Sequence, residues 1–221
     1  MAVLFPLLML LIVVICVAFL YGEGMWSNAI RCINVFFSGM IATNVWEPLA
    51  GFLDDRVHSG LTFFWDFIAL WAVFALSYVF FTVVTMMISR VRVRFKMIAD
   101  RVGSIAFAVL TGWFLLCFTM MTLHTSPLAR NFFYGGFDPD SRMVFGLAPD
   151  RQWLAFAKYL SKGPFSRSTG EGVVAEFDPN YEFINNYAAR RKAYQDYLAQ
   201  NAQSVRQLLV PDGTFPKRYS Q

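Results

Sequence analysis

The sequence predicts an all-α integral membrane protein with about four transmembrane helices and a polar, partly helical C-terminal tail. Three observations carry this. Of 221 residues, 57% are hydrophobic and 15% are charged, against about 25% charged in ordinary soluble domains. The apolar excess falls in the first 125 residues, in runs long enough to cross a bilayer. Between the last two runs sits a cationic stretch, Ser89 to Arg101, with Arg90, Arg92, Arg94, Lys96 and Arg101. These are five of the seven basic residues before residue 123. Lys and Arg in short loops stay cytoplasmic, so this stretch determines the direction in which its flanking helices cross.

The first run, Val3 to Tyr21, has nineteen residues and no charge. As a helix it is about 28 Å long, enough to span the hydrocarbon core. A cleaved signal peptide would carry a basic start and a small-x-small cleavage site. Neither is present, which favours a retained helix. Gly22-Glu23-Gly24 forms a turn. From Ile30 to Trp46 a weaker segment follows, diluted by Arg31, Asn34, Gly39 and Asn44. Ile33, Phe36, Phe37, Met40 and Ile41 recur at helical intervals, so it either spans or lies in the interface as an amphipathic helix. Glu47-Pro48 is expected to end it, with Asp54, Asp55, Arg56 and His58 in a solvated loop.

Leu61 to Ile88 has twenty-eight residues, about 42 Å as a helix, and must tilt or protrude. Asp66 lies in its first turns beside Trp65 and Trp71. It reads as an intramembrane acid on an ion or proton path, or as an interfacial residue in an aromatic belt. The extra length of the run favours the interface. Val102 to Leu123 is the last apolar run, with His124 at its end as an interfacial side chain.

We divide the chain into a transmembrane domain, residues 1–125, and a polar extracytoplasmic tail, residues 126–221. Proline recurs along the tail and breaks it into short pieces. Asp150 to Lys162 reads as an amphipathic helix with Asp150 as N-cap and Trp153, Phe156, Ala157 and Leu160 on one face. Asn180 to Leu209 reads as a longer polar helix. Its Arg190-Arg191-Lys192 run is either a lipid-binding patch or a solvated face.

The net charge of +4 is too small and too spread to argue for nucleic acid. Cys16, Cys32 and Cys117 form no CxxC or Cys/His cluster and read as small buried hydrophobes. The sequence contains no Ser/His/Asp set, no phosphate-binding glycine loop and no HExxH. We therefore expect no catalytic residues, no metal and no cofactor.

The most specific pattern follows the basic loop. Asp100-Arg101 precedes Ser104, Ala108 and Gly112 at strict four-residue spacing. Residues four apart share a helix face, and small-xxx-small faces let membrane helices approach closely. Here the sequence resembles the colicin V production (CvpA) family, small bacterial inner-membrane proteins whose last helix opens with Asp-Arg and small residues four apart. Gly24 matches the family's turn glycine. Serine and alanine replace two of the family's glycines, Glu23 stands where a basic residue is common, and the first helix lacks the family's early acid. The resemblance covers about residues 3–125. It implies a divergent, non-enzymatic accessory protein in toxin production or export and envelope homeostasis. Its expected partners are membrane lipid and other membrane or envelope proteins. The alternative is a small channel or transporter, supported by Asp66, Glu47 and the polar face of the second helix. Orientation by the basic loop puts the tail outside whether or not Ile30 to Trp46 spans.

Overall fold

The computed structural model describes residues 3–56, 62–89, 96–127, 136–138, 141–163, 167–169, 173–175 and 177–200. It is helical throughout, apart from one short ribbon. The elements are α1 (Leu4–Leu20), α2 (Met25–Arg56), α3 (Thr62–Ile88), α4 (Met97–Thr125), α5 (Pro149–Ser161), β1 (Arg167–Thr169), β2 (Val173–Ala175) and α6 (Phe183–Gln200). The ribbon is antiparallel, with Ser168 opposite Val174.

Two of these, Phe64–Ile88 within α3 and α4, are long and apolar enough to cross a membrane by length and composition. α1, at 17 residues, is a shorter apolar helix. Apart from buried Asp66, α3 is largely apolar, as expected of a helix whose outer side meets lipid. Leu76, Val79, Phe80 and Met86 stand exposed along it.

The four helices run alternately up and down, and side-chain pairs fix their register. At one end Trp26 on α2 donates to Ser89, just past the end of α3 (2.9 Å). Asn34 donates to Thr85 (3.0 Å). α2 and α4 lie parallel: Asn28 meets Ser104, and the Phe36 and Phe114 rings sit 5.1 Å apart. α1 runs against α4, with Val13 beside Gly112. The start of α1 and the end of α4 therefore share one end of the bundle. The start of α4, with exposed Lys96 and Arg101, lies at the other.

Polar side chains within these helices turn back onto their own backbone. Ser38 donates to the Asn34 carbonyl (2.6 Å), Thr43 to Gly39 (2.8 Å), Asn44 to Met40 (2.8 Å) and Thr111 to Phe107 (2.7 Å). Such bonds to the preceding turn satisfy a hydroxyl or amide where no water competes.

Several sequence expectations need correction. α2 does not stop at Trp46; it continues through Pro48 to Arg56, so Asp54, Asp55 and Arg56 form its last turn. Proline removes one backbone donor and crowds the carbonyl four residues back. Packing of Trp46 and Ala50, both buried, holds the segment helical regardless. α4 begins at Met97, placing Asp100 and Arg101 inside the helix. The tail is not a detached polar extension. Trp153, Leu154, Ala157, Phe177, Phe183 and Tyr187 join one buried cluster with Trp46, Leu70 and Phe118 of the bundle. Arg90, Arg92, Arg94 and His58 lie outside the described residues.

Ser104, Ala108 and Gly112 are all buried on α4. A Cβ at Gly112 would stand 2.8 Å from the Val13 Cα and 3.2 Å from the Cys16 Cβ. The obstacle is backbone, so α1 itself would have to move. Leu110 and Val109 are 43% and 42% exposed. Gly112→Ile and Ala108→Leu are therefore expected to lower stability in detergent, by about 1–3 kcal/mol for overpacking. Leu110→Ile and Val109→Leu should be nearly silent. Equal melting of all four variants would remove the helix-packing role from this face.

Candidate functional site

Two polar joints, one at each end of the bundle, bring together charged and hydrogen-bonding groups from different helices. The first closes the turn between α1 and α2. Gly24 precedes α2, whose first backbone donors have no partner within the helix. Asp100 on α4 supplies one: its Oδ1 accepts from the Met25 backbone N–H at 3.0 Å. A carboxylate at a helix N-terminus also suits the helix dipole. Gly24 sits against this carboxylate, 3.5 Å from where its Cβ would be. Alongside, the Asn28 amide donates to the Leu20 carbonyl (3.0 Å) and to the Ser104 hydroxyl (2.9 Å). Ser104 in turn donates to the Glu23 carbonyl (2.6 Å). The serine that replaces a family glycine therefore does more than leave room for a neighbour: it closes a three-helix hydrogen-bond chain.

The second joint holds the C-terminal segment. Asp66 is fully buried at the start of α3. Arg190 of α6 reaches its Oδ2 at 2.6 Å, and the Tyr187 hydroxyl donates to the same oxygen at 3.2 Å. Arg190 and Arg191 are thus buried, and the expected lipid-binding or solvated run reduces to exposed Lys192. Guanidinium suits the role, being a planar multiple donor that is more weakly hydrated than ammonium. Tyr187 also packs near Trp46, with ring centroids 6.4 Å apart. Further along α6, burial pushes the Tyr194 phenol up from its ordinary pKa.

His124, expected at an interface, is also fully buried. Its Nε2 lies 3.0 Å from Asp150 Oδ2. Asp150 is not the N-cap of α5. Ala148 takes that place in a left-handed conformation, Pro149 opens the helix, and Asp150 turns inward from the first turn. Phe137 lies against the His124 ring at 5.2 Å, and the Arg191 guanidinium stands 5.0 Å over the Phe137 ring.

Alongside these two pairs, α5 inserts Trp153. Its indole N–H donates to Thr43 Oγ1 at 2.9 Å, and the ring lies 5.5 Å from Phe118. The slot exists because α2 carries Gly39: a Cβ there would stand 2.5 Å from the Trp153 ring. α5 and the start of α6 are tied together as well. Lys158 donates to the Pro179 carbonyl (2.7 Å) and Phe177 N–H donates to Ser161 Oγ (3.0 Å), while Asp178 Oδ1 accepts from Glu182 N–H (2.7 Å) within the lead-in to α6.

Beside the first joint, Arg31 pairs with Glu23 at 2.9 Å, and both line a cavity together with Asn34, Thr85 and Ser89. Among the described residues there is no group of three His, Cys, Asp or Glu side chains able to hold a metal ion. Cys32 and Cys117 are buried, and all three cysteines are free thiols. Chemically, the site fastens one part of the chain to another.

Two helices of spanning length, packed with a third apolar helix and tied by buried polar contacts, fit a helical membrane protein. A family model described as colicin V production protein matches residues 5–136, and the chain belongs to that family. No curated protein and no solved structure matches it. The matched region runs past residue 125, through Phe137's immediate neighbour, and ends before α5.

Breaking a buried ion pair by removing one partner strands a charge and costs about 3–5 kcal/mol, whereas an apolar replacement of both is often nearly neutral. Asp66→Leu and Arg190→Leu are each expected to lower the detergent Tm markedly and expose α6 to protease. The double variant should recover most of the loss. Additive losses would mean that the two side chains are not energetically coupled.

Proposed function

We propose that this protein is a multi-pass accessory protein of the bacterial inner membrane, non-enzymatic, serving toxin production or export and envelope homeostasis. The observation that carries the reading is the use made of Asp66. The acid that would have to line an ion path is fully buried and engaged by Arg190 and Tyr187. A charge neutralised inside the fold serves assembly, whereas a conducting path keeps its acid toward water. Family membership supports the same role. Four crossings, with the basic loop cytoplasmic and both the start of α1 and the C-terminal segment outside, agree with the alternating helix directions and with the positive-inside preference.

In liposomes the purified protein should pass no ions or protons above background. A specific flux that disappears in Asp66→Asn would replace the accessory reading with a channel. A reporter that fluoresces only in the cytoplasm, fused after Gln221, should leave cells dark. Bright cells would reverse the orientation.

A further inference from the structure

We propose that α5 is a membrane-embedded helix, lying within the hydrocarbon of the leaflet on the tail side and presenting Phe156 and Tyr159 to acyl chains. The inference rests on the multi-pass reading above and concerns depth, not sidedness. Three height markers carry it. Gln152 Oε1 accepts from the indole of Trp113 at 3.2 Å, and Trp113 lies twelve residues before the end of α4 at Thr125. That is about 18 Å down the helix axis, at 1.5 Å per residue. Trp153 fills the slot at Gly39 and bonds Thr43, more than three turns before the end of α2 at Arg56. The Phe156 ring lies 6.3 Å from Phe36, earlier still on α2. α5 therefore packs alongside α2 and α4, not on top of them.

The hydrocarbon extends at least that high. α1 runs against α4 with Val13 at Gly112, which brings its exposed Leu4, Leu7 and Leu8 level with α5. On α3, Phe74 stacks on Phe118 at 4.8 Å. Ile68 and Phe64, closer to the tail-side end, are still 40% and 38% exposed. Apolar exposure at and above the height of α5 is the mark of a lipid-facing belt, and a half core of about 15 Å accommodates it.

The surface of α5 is suited to that place. Phe156 and Tyr159 are 50% and 74% exposed, and Phe145 and Leu147, just before the helix, are 59% and 50% exposed. Asp150, Gln152 and Lys158 turn inward or are bonded within the chain, while Arg151, exposed in the first turn, has a stem long enough to carry its charge toward the headgroups. Gln152 uses both ends of its amide, donating to the Leu147 carbonyl at 2.9 Å. Lys158 is 7% exposed, bonded to Pro179 and lying over the Tyr181 ring at 3.2 Å. Non-spanning helices at membrane depth are tolerated where their polar groups are satisfied by protein.

The test places one cysteine at a time in a chain whose Cys16, Cys32 and Cys117 are alanine, and labels it with an environment-sensitive fluorophore in proteoliposomes. The positions are Phe156→Cys and Tyr159→Cys on α5, Lys192→Cys at an exposed position of α6, and Val79→Cys on the outer face of α3. Quenchers are a lipid spin-labelled on its acyl chain, in both leaflets, and iodide on both sides. Depth is then read whichever way the tail faces. Probes at 156, 159 and 79 should be quenched severalfold more by lipid than the probe at 192, and correspondingly less by iodide. Lipid quenching at 79 with iodide quenching at 156 and 159 would overturn the proposal while leaving the spanning helices intact. Iodide quenching at 79 as well would overturn the multi-pass reading along with it.

Discussion

A polar group among apolar helices has no water to bond, so the chain must supply every partner itself. Much of this fold obeys that constraint. Asp66 sits on an otherwise apolar helix and would be untenable alone as an anion. Its partner comes from more than a hundred residues away, on α6. His124 and Asp150 solve the same problem between α4 and α5. These pairs contribute little net energy compared with an apolar replacement, since desolvation offsets attraction. Their effect is on register: α6 can dock only where Arg190 reaches Asp66, and α5 only where Asp150 meets His124. Trp153 adds a shape requirement, because Gly39 and Thr43 together accept one indole in one orientation.

The opposite end obeys the same rule with smaller groups. A tight turn between α1 and α2 leaves backbone donors at the start of α2 unpaired. Asp100 takes one, and the Asn28–Ser104 chain closes the rest of the joint. This gives the paired acid and basic residues at the start of α4 a physical meaning. The acid is a cap donated by a neighbouring helix, while Arg101 next to it stays exposed. Gly24 lies beside that carboxylate, with 3.5 Å between it and the place a Cβ would take.

The spanning helices are legible in the sequence because long uncharged runs carry their own length scale and the basic loop its own sidedness rule. The four-residue spacing of Ser104, Ala108 and Gly112 marks one face of α4 without naming its neighbour, since spacing is a property of one helix and contact a property of two. The end of α2 is misleading at Pro48. Local preference disfavours a helix there, and burial of Trp46 and Ala50 overrides it. Asp66 stands out as unusual, but its partner does not. Arg190 and Arg191 sit in a charged, aromatic-studded stretch that reads equally well as a solvated surface. The signal that is available is stoichiometric: a lone acid in an apolar helix demands a cation somewhere. Tyr187, Arg190 and Arg191 at three- and four-residue intervals form one helix face able to meet it.

The C-terminal segment therefore belongs to the fold of the helices and is not an appendage to them. The family match ends at residue 136, yet stopping the chain there would leave Gly39 and Thr43 facing an empty slot. It would also leave Phe118 without Trp153 and two buried titratable side chains, Asp66 and His124, without their counterparts. Those are costs of different kinds, a cavity among aromatic rings and two stranded polar groups, and they fall on different helices. A bundle that carries them needs further chain to complete it. In this protein α5 and α6 do so, each tied to the bundle and both joined through Lys158 and Ser161. The boundary between matched and unmatched sequence is thus a boundary of resemblance, while the packing core runs across it.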